Sequence, residues 1–274
     1  MGKFSGCLLA CDIDGTLISG ELLPERNIEK IKHFVDEGGM FSLYTGRSAG
    51  ALTDVTSKIK CLSPSVLSNG SVIYDFKNKT PLFQVTLSKK AVQMVAGVIK
   101  EVGIGLEMHA ADNVFVPSRN AVSDLHEQYE SMKVEFLDFS VAKEKKVNKV
   151  VYCTENECQA EAILSIASGY EDVCNFYRTT AFMGGKNHVF IEQVPKGVSK
   201  ADALEKLCGI LKIKKGGFFA IGDYYNDVPM LEIADISGVP AEAPDDVKII
   251  ADKVLGSVSG GAVADFIDYL EEII

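Results

Sequence analysis

Two aspartates stand one residue apart in Leu8-Leu9-Ala10-Cys11-Asp12-Ile13-Asp14-Gly15-Thr16, where an apolar run gives way to a polar turn. Two anions so placed repel one another and lose hydration beside a buried strand, so the pairing is costly unless a cation or hydrogen-bond donors hold them. Further along the chain, Thr45-Gly46, Lys200, and Gly222-Asp223 with Asn226 carry the residue types that could join them. A hydroxyl, an exposed backbone N–H, an ammonium and an amide are what the oxygens of a phosphoryl group need, and a helix start favours the same anion. Three carboxylates on one rim, Asp12, Asp14 and Asp223, would be intolerable without a cation. Hard oxygen donors suit Mg²⁺, which keeps several waters and uses one or two carboxylates together with a substrate phosphate. Lys200 opens a predicted helix and is preferred to Lys196, which follows Pro195 before that helix begins.

These groups meet only if the intervening elements bring them to one place. The short apolar run 6–12 reads as a strand covered on both faces, and 24–37 places Ile28, Ile31, Phe34 and Val35 at helical spacing before Gly38-Gly39 stops the helix. A strand over 40–44 ends at Thr45-Gly46-Arg47, a helix follows over 47–60, and a third strand over 65–68. That alternation is the βαβ rhythm of a doubly wound parallel sheet, whose ligands bind beyond the carboxyl ends of the strands. The rhythm then changes. A hairpin is expected around Lys77-Asn78-Lys79, a helix over 89–102, strands over 105–108, 113–117, 149–153 and 188–194, and helices over 120–132 and 157–168. From Val198 the first pattern returns, with helices over 200–211, 227–234, 245–251 and 262–273 and strands over 217–221 and 236–239. The expected fold is therefore α/β: a doubly wound parallel-sheet core, 1–81 and 191–274, interrupted by an inserted α+β domain over 82–190.

Length and composition bound the function. At roughly 150 residues per domain, 274 residues allow one large domain or two modest ones, and 47% hydrophobic against 24% charged residues is ordinary globular composition. A net charge of -10 disfavours a broad surface for nucleic acid, which needs clustered Lys and Arg. The seven cysteines (Cys7, Cys11, Cys61, Cys153, Cys158, Cys174, Cys208) are odd in number and lack a CxxC pair, so they read as reduced thiols of a cytoplasmic protein. The N-terminal apolar run spans only residues 7–11, too short for a signal peptide or a membrane span. Oligomeric state is not legible.

Asp12-Ile13-Asp14-Gly15-Thr16, Thr45-Gly46-Arg47, Lys200, and Gly222-Asp223-Tyr224-Tyr225-Asn226-Asp227 resemble, in order, the four motifs of the haloacid dehalogenase superfamily. The insertion between the second and third motifs, with the later Val228-Pro229-Met230-Leu231, is similar to the Cof-type branch of hydrolases with a C2-type cap. The resemblance implies a Rossmann-like core and a Mg²⁺-dependent phosphatase of small phosphorylated metabolites, sugar phosphates foremost. Asp12 would be the nucleophile that becomes an aspartyl phosphate, and Asp14 the acid that protonates the leaving oxygen and then activates water. Mg²⁺ would be held by the Asp12 carboxylate, the Asp14 backbone carbonyl and Asp223. Thr45, Gly46, Lys200 and Asn226 would bind the phosphate, with Asp227 orienting Lys200 or a metal-bound water. A carboxylate two residues beyond the nucleophile also suits hydrolysis on chemical grounds, because a covalent phosphate accumulates unless something assists water. The competing readings are a phosphosugar mutase of the same fold and a phosphoacceptor or ligand-binding module without turnover. Arg47 lies beside the site, and the glycine-rich loop 183–188 is polar enough to overhang it, with Lys186 and His188 as candidate substrate contacts against the plainer reading of solvated loop charges.

Overall fold

Four-residue apolar runs such as Leu8–Cys11 and Phe218–Ile221 bury every side chain, which a strand does only when both faces of its sheet are covered. In the computed structural model, which describes residues 2–20, 22–60, 62–130 and 132–274, these runs form a five-stranded sheet. Its order is Lys253–Val254, Ile236–Val239, Phe218–Ile221, Leu8–Cys11, Met40–Leu43, and every neighbouring pair is parallel. The two faces alternate along each strand. Leu9, Cys11, Phe41, Leu43, Phe219 and Ile221 pack on Ile31 and Phe34 of the helix Glu25–Asp36 and on Phe266, Ile267 and Leu270 of the helix Ala262–Ile273. Leu8, Ala10, Phe218 and Ala220 pack on Leu204 and Leu207 of the helix Lys200–Leu211 and on Met230 of the helix Val228–Ile233.

Register decides what leaves the sheet together. Cys11 lies opposite both Leu43 and Ile221, so the chain emerges at Asp12, Tyr44 and Gly222 on one level. The three segments singled out by their chemistry therefore start from the same edge, as the strand-end rule requires.

Two expected elements differ. The strand Ser65–Leu67 lies not in the parallel sheet but in a three-stranded antiparallel sheet with Val72–Asp75 and Thr80–Gln84, and among the described residues its segment is bridged to the larger sheet at Phe41–Leu62 and Tyr44–Val66. Side chains stand in for a ladder there: the Leu43 N–H donates to Ser65 Oγ at 3.0 Å and the Ser42 hydroxyl to the Pro64 carbonyl at 2.7 Å. The helix expected over 47–60 is broken into a 3₁₀ turn, Ala49–Ala51, and a short helix, Thr53–Lys58, because residues 45–48 are committed to a loop. In that loop the Arg47 N–H donates to Thr45 Oγ1 at 3.1 Å and the Arg47 carbonyl accepts from Ser68 N–H at 2.9 Å.

The inserted segment forms a six-stranded sheet in the order Cys174–Met183, Lys186–Pro195, Val147–Cys153, Gly105–Ala110, Val114–Ser118, Val134–Glu135, antiparallel except for the last pair. Leu106, Met108, Val150 and Tyr152 face the helices Lys89–Val102 and Glu157–Ala167, which cover one side with Met94, Val95, Val98 and Ile163. The period-2 alternation sends Glu107, His109, Lys149, Val151 and Cys153 to the other side. There the helix Ala121–Tyr129 packs, capped by Asn120 with a reciprocal Ser123 contact. The strand Cys174–Met183 was not legible, because its Arg178-Thr179-Thr180 centre breaks any apolar alternation. The glycine-rich stretch after it is a tight hairpin, with Gly184 and Gly185 both at positive φ.

Candidate active site

Asp12 makes the last rung before the chain leaves the sheet, its N–H donating to the Ile221 carbonyl at 3.0 Å. Its side chain is nearly buried, with 6% of the residue exposed. The following turn is tight at Gly15, whose φ is +88°, and a Cβ there would lie 2.4 Å from Asp223 Oδ2. Only glycine lets the Asp223 carboxylate come that close to the turn. Asp223 is held from the other side by the Thr16 hydroxyl, which donates to Oδ1 at 3.0 Å.

Lys200 begins its helix behind the cap residue Ser199 and is buried, with Nζ 4.0 Å from Asp12 Oδ1 and 3.3 Å from Asp227 Oδ1. The ammonium lies over the Tyr44 ring, 4.8 Å from its centroid. Asp227 is wholly buried and does two things: Oδ1 faces Lys200, while Oδ2 accepts the N–H groups of Asp223 and Tyr224 at 3.1 and 3.2 Å. The structure thus brings Asp12, Asp223, Asp227 and Lys200 together, with Thr45, Gly46 and Asn226 lining the same cleft. Lys196 is exposed and does not line it.

The electrostatics explain why these acids need company. Burial is the largest effect on Asp12 and raises its pKa well above the usual carboxylate range; Asp227 adds to the rise, and Lys200 opposes it. Burial and Asp227 likewise push Asp223 up to about 6. One carboxylate oxygen from each of Asp12, Asp223 and Asp227 lies within 4.8 Å of the others. Three acids facing one ammonium, all oxygen donors, fit a hard divalent cation. The Asp14 carboxylate stands apart from that set: it is paired in a fork with Arg47, at 2.9 Å to Nε and 2.6 Å to Nη2.

A cleft of about 920 Å³ opens over these groups, floored by the parallel sheet's rim and walled by the six-stranded sheet. Lys186 and His188 do not line it. Lys186 sits in the hairpin pair beyond the cleft, and His188 is buried with its Nε2 unpartnered. The wall comes instead from Tyr177 to Phe182 on the illegible strand and from His126, Glu130, Lys149 and Glu192. Lys149 Nζ donates to the Gly46 carbonyl at 2.9 Å, and Glu192 accepts from Asn69 Nδ2 at 2.8 Å, so the wall is bonded to the loop that carries Thr45 and to the turn Ser68–Gly70. The one visible signal for these residues was Lys149, a charge in the buried and mostly apolar run of Val147–Cys153.

Comparison with known proteins agrees with this geometry. Residues 9–267 match the model of a haloacid dehalogenase-like hydrolase. The chain is 26% identical to the Bacillus subtilis 5-amino-6-(5-phospho-D-ribitylamino)uracil phosphatase YwtE, over 96% of this chain and 97% of that one. In fold it is similar to a haloacid dehalogenase-like hydrolase from Bacteroides thetaiotaomicron (TM-score 0.86, 20% identity, covering 96% of this chain and 99% of that one). A solved sugar phosphatase of HAD subclass IIB gives a TM-score of 0.78 at 20% identity, covering 97% of this chain and all of the other. The match through nearly the whole chain, with the motif residues gathered at one strand-end rim, shows that this protein belongs to the haloacid dehalogenase-like hydrolases and is an enzyme of that family.

Proposed function

We propose that the chain is a Mg²⁺-dependent phosphatase of small phosphorylated metabolites, working through an acyl phosphate of Asp12. The observation that carries this reading is the nearly buried Asp12 carboxylate at a strand end, facing Lys200 across the floor of a 920 Å³ cleft. An Asp12 oxygen attacks phosphorus while Lys200, the Thr45 hydroxyl, the Gly46 N–H and the Asn226 amide take the charge on the other oxygens. Asp14 gives its proton to the leaving oxygen as the P–O bond breaks, then takes one from the water that opens the acyl phosphate. Arg47 holds both oxygens of the Asp14 carboxylate beside the place the leaving oxygen would take. Asp12, Asp223 and the Asp14 backbone carbonyl would hold the Mg²⁺, which when bound neutralises charge on the phosphoryl oxygens. Asp227 keeps Lys200 and the Asp223 loop in place.

The inserted segment serves as a cap that encloses the leaving group and excludes water. A partition at about residues 86–195 leaves whole the two strands, Thr80–Gln84 and Lys186–Pro195, that boundaries at 82 and 190 would cut. Glu192 on the cap side would accept hydrogen bonds from substrate hydroxyls, while exposed Tyr177, Phe182, Tyr224 and Tyr225 offer flat apolar contacts at the mouth. That combination suits phosphomonoesters of sugars or sugar alcohols, the second including the kind of ribityl compound named for the Bacillus subtilis relative. The test is phosphate release from a panel of such esters with and without Mg²⁺, with hydroxylamine trapping of the aspartyl phosphate. Activity that requires a bisphosphate activator would make it a mutase; binding without release would make it a ligand-binding module.

A further inference from the structure

Asp14 has the task of meeting one leaving oxygen, yet its side chain is 49% exposed on a turn, where nothing in its own segment fixes its rotamer. What fixes it is Arg47, whose side chain is only 11% exposed and which grips both carboxylate oxygens. Arg47 is itself held on two sides. Nη1 reaches the Ala51 carbonyl at 3.5 Å, and Nε lies 3.9 Å from Glu130 Oε1, which comes from the opposite wall at the end of the helix Ala121–Tyr129. Glu130 is braced in turn: His126 Nε2 is 3.5 Å away, His126 Nδ1 is 2.9 Å from Glu107, His109 Nε2 is 3.1 Å from Glu107, and His109 Nδ1 is 3.0 Å from Ser48 Oγ. Ser48 follows Arg47 in the chain, so the circuit closes on the loop where it began. Glu107 and Glu130 give it two negative charges in the cap, and His126 sits between them.

We infer that Glu130 is a positioning residue for Asp14: it fixes the plane of the Arg47 guanidinium so that the fork presents Asp14 to the leaving oxygen. Asp14 takes the single Nε hydrogen, so Glu130 at 3.9 Å acts on the guanidinium by charge and not by a hydrogen bond, and a second anion beside Nε opposes its swinging away together with Asp14. Because Glu130 and its braces belong to the six-stranded sheet side while Arg47 belongs to the parallel-sheet rim, Asp14 is aligned only when the cap lies over the site. This inference rests on the phosphatase reading and on Asp14 as its acid.

Poor placement of an acid harms esters in proportion to how much their leaving oxygen needs a proton. The test is kcat/KM, which reports the steps through departure of the leaving group, for p-nitrophenyl phosphate and for a sugar phosphate that the native protein hydrolyses. Glu130→Gln should lower kcat/KM for the sugar phosphate about 10-fold more than for p-nitrophenyl phosphate, a part of the 10²–10⁴-fold that a positioned acid contributes. Arg47→Lys keeps the charge, loses the fork, and should show the same inequality; it carries the comparison if Glu130→Gln melts at assay temperature. Equal losses on both esters, or none, overturn the inference while leaving the phosphatase reading intact. Native protein that releases phosphate from none of a panel of such esters with Mg²⁺ overturns both.

Discussion

Asp12 is asked to be an anion in a place where burial and Asp227 oppose it. Asp12→Asn removes that conflict along with the nucleophile. The expected outcome is a drop in phosphate release to below about one-thousandth of native, with a melting temperature no lower than native when no divalent cation is present. Phosphate release and thermal melts on the same preparation check both halves; a variant that turns over at near-native rates would remove Asp12 from the mechanism. Motif residues of this kind were visible in the sequence because their chemistry is local: two acids, one residue apart, after an apolar run.

At the scale of the element, the loop between Phe218–Ile221 and Val228–Ile233 owes its shape to Asp227. One carboxylate oxygen takes two backbone N–H groups and the other faces Lys200. Asp227→Ala would leave those donors unpaired and the ammonium without its neighbour, costing about 1–3 kcal/mol in urea unfolding. Activity should fall with it, because both Asp223 and Lys200 lose their placement. If stability and activity are both within error of native, the loop is held by something else. The sequence reading gave Asp227 a supporting part, and the buried geometry now shows by which atoms it touches its neighbours.

For the molecule as a whole, two predictions concern how the wall and the floor share the work. Lys200→Ala should lower kcat/KM on every phosphomonoester, because the phosphoryl group is common to all; Tyr177→Ala should lower it unequally, more for large leaving groups than for acetyl phosphate. A substrate-selective loss at Lys200 or a uniform one at Tyr177 would reverse the assignment. The second prediction concerns stability. Buried between Glu107 and Glu130, His126 is carried from 6.5 up to about 10 despite its desolvation. A raised folded-state pKa gives stability that is complete below 6.5 and is lost as pH rises through about 10. Glu107, lowered from 4.5 to about 2, gives stability that is complete above 4.5 and is lost as pH falls toward 2. The difference in melting temperature between native protein and His126→Gln should therefore be greatest between those limits, near pH 5–6, and shrink toward pH 10. At roughly 2–4 °C per kcal/mol for a chain of this order of size, a calorimetric or fluorescence melt resolves it. A difference independent of pH would mean that the histidine acts by packing on Phe190, whose ring centroid is 4.6 Å from its own.

By itself the sequence determined four strands of the parallel sheet, the residues that stand at their ends and a change of rhythm between them, because apolar runs, helical spacing and motif residues are short-range signals. Helices such as Lys89–Val102, Lys200–Leu211 and Ala262–Ile273 were legible to the residue for the same reason. The six described cysteines are free, as their spacing suggested, with Cys61 outside the described residues. No described helix is long and apolar enough to cross a membrane. Tertiary structure alone decided which part of the insertion faces the cleft. Lys186 and His188 looked eligible by composition, yet a two-residue hairpin carries them past it, and the strand Cys174–Met183 lines it with residues whose pattern names no element. The partnership of Glu130 with Arg47 spans 83 residues of chain, and no local propensity encodes it; it exists because the polar face of the six-stranded sheet lies over the carboxyl-end rim of the parallel sheet, whose own two faces are both buried.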